Sequence, residues 1–157
     1  MGISISLRQF LDAQGVRYDL VPHERTLHSS QTARVSSIPE DNLAKAVLVK
    51  RRDGYLLAIV PASRHVRLDE LRSWTLEPVD LATEAEVAQC FKDCELGSVP
   101  AMPAAYSLKA VMDNSFDALN DVYFEAGDHG TLVHLTGRDF QQLTADIPHG
   151  QFSKRNH

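Results

Sequence analysis

The stretch LAKAVLVKRRDGYLLAIVPASRHVRLDEL, residues 43 to 71, decides how the fold is read. Two apolar runs, LAKAVLVK and YLLAIVPA, surround RRDG, and Asp53-Gly54 is a strong turn signal. The pattern predicts a β-hairpin over 43–61, followed by a brief helix over 66–74. In extended backbone, Leu43, Lys45, Val47 and Val49 share one face, and Ala44, Ala46, Leu48 and Lys50 share the other. Lys45 therefore stands in a row with three apolar residues. Three readings fit that row. An edge-strand lysine would block unwanted pairing. A lysine with its stem on the core would reach water with its amine. A lysine at the floor of a cleft would present its ammonium to an anionic or carbonyl group, with its pKa lowered by desolvation.

The flanking sequence supplies further elements. Leu7, Phe10 and Leu11 have helical spacing within 6–14, and Gly15 follows as a stop. Residues 17–23 alternate as a short strand. Residues 29–36 read as a short helix opened by serine caps. A strand is predicted over 78–82. Thr83 stands three residues before Glu86, a capping-box pattern that opens a helix at EAEVAQCF. Residues 95–106 hold Gly97, Pro100 and Pro103, and read as a shaped loop rather than helix or strand. LKAVMD, DVYFEAG and TLVHLTG are predicted strands, with GDHG as a turn, and RDFQQLTA a closing helix. The tail, 148–157, is polar and is expected to fray. Strands and helices intermix without strict βαβ alternation. The predicted fold is α/β of the α+β type, a mixed, largely antiparallel central sheet surrounded by helices. A single domain is expected over 1–157, with its core at about 5–145.

Composition narrows the function. No apolar run approaches the roughly 20 residues that cross a bilayer, and the N-terminus lacks a signal-peptide pattern. A net charge of −5 argues against a protein that coats nucleic acid nonspecifically, and no DNA partner is expected. Charge is unevenly spread. Residues 45–72 carry seven Lys or Arg against three Asp or Glu, whereas 73–127 carry two against ten. The basic segment is either a landing place for a phosphate-bearing ligand or a solvated surface. Cys90 and Cys94 read as reduced thiols near a helix end, consistent with a cytoplasmic protein and with no metal site. His23, His28, His65, His129, His134 and His149 read as surface or structural residues rather than bases.

Four stretches together carry a family resemblance: HERTLHSSQTA, LAKAVLVK, CELGSVPA and VYFEAGDHGTLVHL. In order and spacing, over roughly residues 5–145, the chain resembles the YbaK/EbsC aminoacyl-tRNA deacylases, relatives of the editing domain inserted in bacterial prolyl-tRNA synthetases. The resemblance implies a YbaK-like fold, no cofactor, and hydrolysis of the ester joining a wrong amino acid to the 3′ end of tRNA. It places the family's lysine at Lys45 and its Gly-x-x-Pro loop at Gly97-Ser98-Val99-Pro100. The late strand that ends in a small residue and glycine corresponds to Glu125-Ala126-Gly127.

An aminoacyl ester is already activated. Such an enzyme needs to position a water or ribose hydroxyl and to stabilise an oxyanion, a task suited to backbone N–H groups of a glycine-containing loop. Lys45 could hold phosphate, orient the ester or support developing charge. Ala46 stands where many relatives have Thr, Ser or Asn, and Ala101 where many have a second proline. Glu125, serine in some relatives, could contact the substrate's α-ammonium or point into solvent. The expected substrates are tRNAs carrying Ala, Ser, Thr or Cys, edited in trans, with an aminoacyl-tRNA synthetase as a further partner. Two other readings fit the same residues: a non-catalytic module that binds a tRNA end or a synthetase, and a hydrolase of some other small aminoacyl ester.

Overall fold

In the computed structural model, which describes residues 2–26 and 28–156, the hairpin of 43–61 is the centre of the sheet. Before it come α1 (Ile5–Gln14), β1 (Asp19–Pro22) and α2 (Ser29–Val35). The hairpin strands are β2 (Leu43–Arg51) and β3 (Gly54–Pro61). Then follow β4 (Arg64–Val66), α3 (Leu68–Thr75), β5 (Asp80–Leu81) and α4 (Glu84–Cys90). The chain ends with β6 (Lys109–Asp113), β7 (Asp121–Glu125), β8 (Thr131–Thr136), α5 (Gly137–Leu143), β9 (His149–Gly150) and β10 (Ser153–Arg155). The main sheet runs β1-β8-β7-β2-β3-β6-β9, with β5 added to β2. Its two hairpins are antiparallel, and they join through the parallel pair β2–β7.

The near-continuous apolar runs of the hairpin are explained by burial on both faces. Ala44, Leu48, Leu57 and Ile59 pack with Leu7 and Leu11 of α1, Phe91 after α4 and Phe140 of α5. Val49, Leu56, Ala58 and Val60 pack on the opposite face with Leu71 of α3, Val79 and Phe152. The capping box at α4 forms as predicted. Thr83 accepts from the Glu86 N–H, and Glu86 accepts from the Thr83 N–H. These bonds, with Tyr55 and Lys50, hold the Glu86 carboxyl down to about 2.

Four local expectations are corrected. The tail is ordered into strands: β10 pairs with β4, β9 pairs with β6, and Phe152 is fully buried against Trp74. A single aromatic anchor in a polar stretch leaves no periodic signal, and only the groove beside α3 makes it decisive. The predicted helix over 66–74 starts two residues later, because Arg64–Val66 is the strand that receives β10. The α2 helix is capped by backbone at His28, with no serine side-chain cap. Within the loop 95–106, Pro103–Tyr106 forms a 3₁₀ turn, as suits proline in a first helical turn. No helix among the described residues is long and apolar enough to cross a membrane.

Candidate active site

The parallel pairing of β2 with β7 is short. Only Leu43 and Ala44 pair with Tyr123 and Phe124, and β5 joins the same edge further along, at Val49 and Lys50. Between them, Lys45 to Val47 have no strand partner on that side, so the two flanking strands splay apart. Lys45 sits in this gap, half-buried. The edge-strand reading fails because β2 is central. Burial pushes the Lys45 ammonium below the usual lysine range, partly offset by Glu40. No carboxylate forms an ion pair with Lys45 among the described residues.

The gap opens into a cleft with two lobes. The inner lobe is a cavity of about 50 Å³ between the β2 start, α2 and the end of β7. Leu43, Lys45, Thr32, Gly97, Glu125 and His129 are among its walls. The outer lobe, about 370 Å³, lies against Val47, Leu48, Leu81 and Val87, with Leu96 on its rim. Ala46, Gly97 and Val99 border both lobes. A separate cavity of about 640 Å³ beside Trp74 and Leu108 is not lined by Lys45, and its Arg51 and Glu77 pair with each other.

The Gly97 loop is held from below. The Glu95 N–H donates to the Gly127 carbonyl at 2.7 Å. Tyr106 links Ser4, Cys94 and Asp93 beneath it, its hydroxyl donating to Asp93 at 2.8 Å. Gly97 has φ 84°, a left-handed conformation. Its α-carbon faces His129, whose Nε2 donates to the Leu96 carbonyl. Among the described residues, the N–H groups of Gly97 and Val99 find no acceptor in the protein. A Cβ at position 97 would lie 3.0 Å from His129 Cε1. Gly97→Ala is expected to displace the loop and lower any turnover at this cleft roughly 10²-fold, with a small fall in thermal stability; steady-state rates and a melting curve check both.

The structure thus gathers Lys45, Ala46, Gly97, Val99 and Glu125 around one cleft. It places the other expected site residues elsewhere. Ser98 is buried with its hydroxyl donating to the Glu95 carbonyl at 2.9 Å. Pro100 is buried behind the loop. Ala126 packs in the core, and Gly127 abuts Ser4 and Cys94, where a Cβ would crowd both. These four shape the cleft from behind. Glu125 does not point into solvent: its side chain is 14% exposed, and burial with Asp128 nearby pushes the carboxyl up to about 8.

Sequence reasoning passed over His129 and His23. His129 is buried at the mouth of the Gly97 loop, and His23 lies 3.5 Å from Glu125. The four-residue turn GDHG and the run HERT contain them, but no spacing rule connects either to Lys45. The cysteines remain free thiols, and burial raises Cys94 to about 11, which removes it as a nucleophile at neutral pH. The basic excess of 45–72 is largely a surface feature: Lys50, Arg51, Arg67 and Arg72 pair with Glu86, Glu77, Asp69 and Asp80. Lys45 is the cation this segment sends into the cleft.

Residues 23–143, which include every wall of the cleft, match the model of the aminoacyl-tRNA editing domain. The chain belongs to the aminoacyl-tRNA editing domain family. Editing cleaves the ester between amino acid and tRNA, and this editing domain is an aminoacyl-tRNA deacylase. Among solved structures, it is similar to a candidate trans-editing enzyme for prolyl-tRNA synthetase. The identity is 19%, with 97% of this chain and 99% of that one covered at a TM-score of 0.80. A hypothetical protein matches at 20% identity over 95% and 99% of the two chains, TM-score 0.82. A candidate signal-transduction protein from Marinobacter aquaeolei VT8 matches at 22% identity and TM-score 0.77, over 95% of this chain and 30% of that one. At these identities the likeness establishes the fold of the editing domain. No protein of curated function matches the sequence.

Proposed function

We propose that the editing domain acts in trans, in the cytoplasm, on tRNA mischarged with a small amino acid of the Ala, Ser, Thr or Cys class. The observation that carries this reading is the half-buried ammonium of Lys45, without an ion pair among the described residues, in the wall of a very small cavity that shares Ala46, Gly97 and Val99 with a larger one. An inner lobe of about 50 Å³ has room for a methyl or hydroxymethyl group and excludes a ring. The outer lobe has room for the terminal nucleoside. The ester would then lie between Lys45 and the free N–H groups of Gly97 and Val99.

In that arrangement the two N–H groups receive the oxyanion as water or the vicinal ribose hydroxyl adds to the carbonyl. Lys45 supports the same negative charge from the opposite wall, where low dielectric strengthens its effect. Ala46 and Val99 close the space around the side chain, so larger amino acids are rejected by size, as in double-sieve editing. The similarity to the candidate trans-editing enzyme supports action in trans.

The test is release of amino acid from tRNAs charged with Ala, Ser, Thr, Cys and Pro. Rapid release is expected from one or a few of the small members. Binding of charged tRNA without release from any would replace this reading with that of a non-catalytic module.

A further inference from the structure

Glu125 and His23 present a combination that folding alone does not explain. Glu125 Oε1 and His23 Nε2 are buried, 3.5 Å apart, and neither has a hydrogen-bond partner among the described residues. The separation is too long for a hydrogen bond, and each orphan group opposes folding. His23 Nδ1 lies 2.6 Å from the Glu24 carbonyl. A carbonyl only accepts, so Nδ1 carries the ring proton and Nε2 is the open nitrogen facing Glu125. The His23 side chain is fully buried, and Glu125 forms a wall of the inner lobe but not of the outer one.

The inner lobe is where the proposed function seats the amino acid, and there the α-amino group is one carbon away from the ester carbonyl. We infer that His23 and Glu125 form the α-ammonium site: Glu125 touches the free amine of the aminoacyl ester, and His23 is a positioning residue that takes the carboxyl proton when the substrate arrives. This inference rests on the deacylase reading. In the empty site, burial and Asp128 keep the proton on Glu125 at neutral pH. As the –NH3⁺ enters, the pair closes to hydrogen-bond distance, the Glu125 O–H bond breaks and an N–H bond forms at His23 Nε2. The carboxylate then lies between two cations, with no proton gained or lost. The other titratable groups around the cavity are Lys45 on β2, His28 at the start of α2 and, in the turn after β7, His129 and Asp128. His129 is committed to the Leu96 carbonyl, and Asp128 accepts from Gly2, Gly130 and Thr131. His23 is the histidine whose open nitrogen faces the Glu125 carboxyl, at 3.5 Å. The site therefore selects esters with a free α-amine over otherwise identical α-hydroxy esters.

The experiment compares the best substrate of the panel with the same ester bearing a hydroxyl in place of the amine, for example alanyl- and lactyl-tRNA. Wild type should prefer the amine roughly 10²-fold in kcat/KM. Glu125→Gln should reduce that preference to a few-fold, mainly through KM. His23→Gln adds a pH readout between about 5.5 and 6.5, where most of the substrate amine carries its proton. With no internal acceptor, ionising Glu125 must release its proton to water. The kcat/KM of His23→Gln should then fall about tenfold per pH unit below about 8, more steeply than that of wild type. Melting curves confirm that both variants fold. Equal hydrolysis of the two esters by wild type, or an undiminished preference in Glu125→Gln, overturns the inference and leaves the deacylase standing. Hydrolysis of neither ester overturns both.

Discussion

Replacing Lys45 with alanine is expected to lower kcat/KM for deacylation by about two to three orders of magnitude while leaving the protein as stable as wild type or slightly more so. The two effects separate because the residue is poorly placed for stability and well placed for chemistry. Its ammonium is held partly out of water, its pKa is lowered by that burial, and it forms no ion pair among the described residues. Removing it relieves desolvation and leaves no charged partner stranded. Active-site groups commonly show this opposition between stability and function. Single-turnover release of amino acid, with denaturant melts on the same preparations, measures both. A variant that retains wild-type turnover would remove Lys45 from the chemistry and leave it as a lysine whose stem packs on the core.

Glu125→Gln should stabilise the protein at alkaline pH. The carboxyl sits near 8 in the fold, against roughly 4.3 for an exposed glutamate. A raised acid pKa means that the native state holds a proton the unfolded chain has released. Stability therefore declines as pH rises from about 4.5 to 8 and is level beyond. Glutamine has no proton to lose. The gain should approach roughly 3 to 5 kcal/mol near pH 8.5 and vanish near pH 4.5. Urea unfolding at those two pH values is the direct measurement. A gain independent of pH would assign the effect to packing instead of ionisation. The same substitution is expected to make the protein more stable and less able to recognise an amine.

Much of the fold was legible because its signals are local. The Asp53-Gly54 turn, the Thr83–Glu86 capping box and the Leu7/Leu11 stripe each act within a few residues, and each forms where the pattern put it. The segments that were misread depend on distant partners. The tail becomes strand because β4 and β6 offer it edges and Trp74 offers Phe152 a surface. Nothing between 148 and 157 encodes those partners.

The site divides in the same way. From the sequence came an apolar row interrupted by Lys45 and a glycine-proline loop that resembles a family motif. Neither reveals that β2 and β7 part after two residue pairs, although that parting makes the cleft. Glu125 and His23 are 102 positions apart, and their approach follows from β1 and β7 flanking β8. A sequence by itself determines periodicity, turns and caps, because those are set by interactions along a few residues of chain. Only the tertiary structure decided which polar groups lost water and which were left facing each other. Burial is a property of everything packed around a group, and in this protein it separates Lys45, Glu125 and His23 from charged residues that merely lie on the surface.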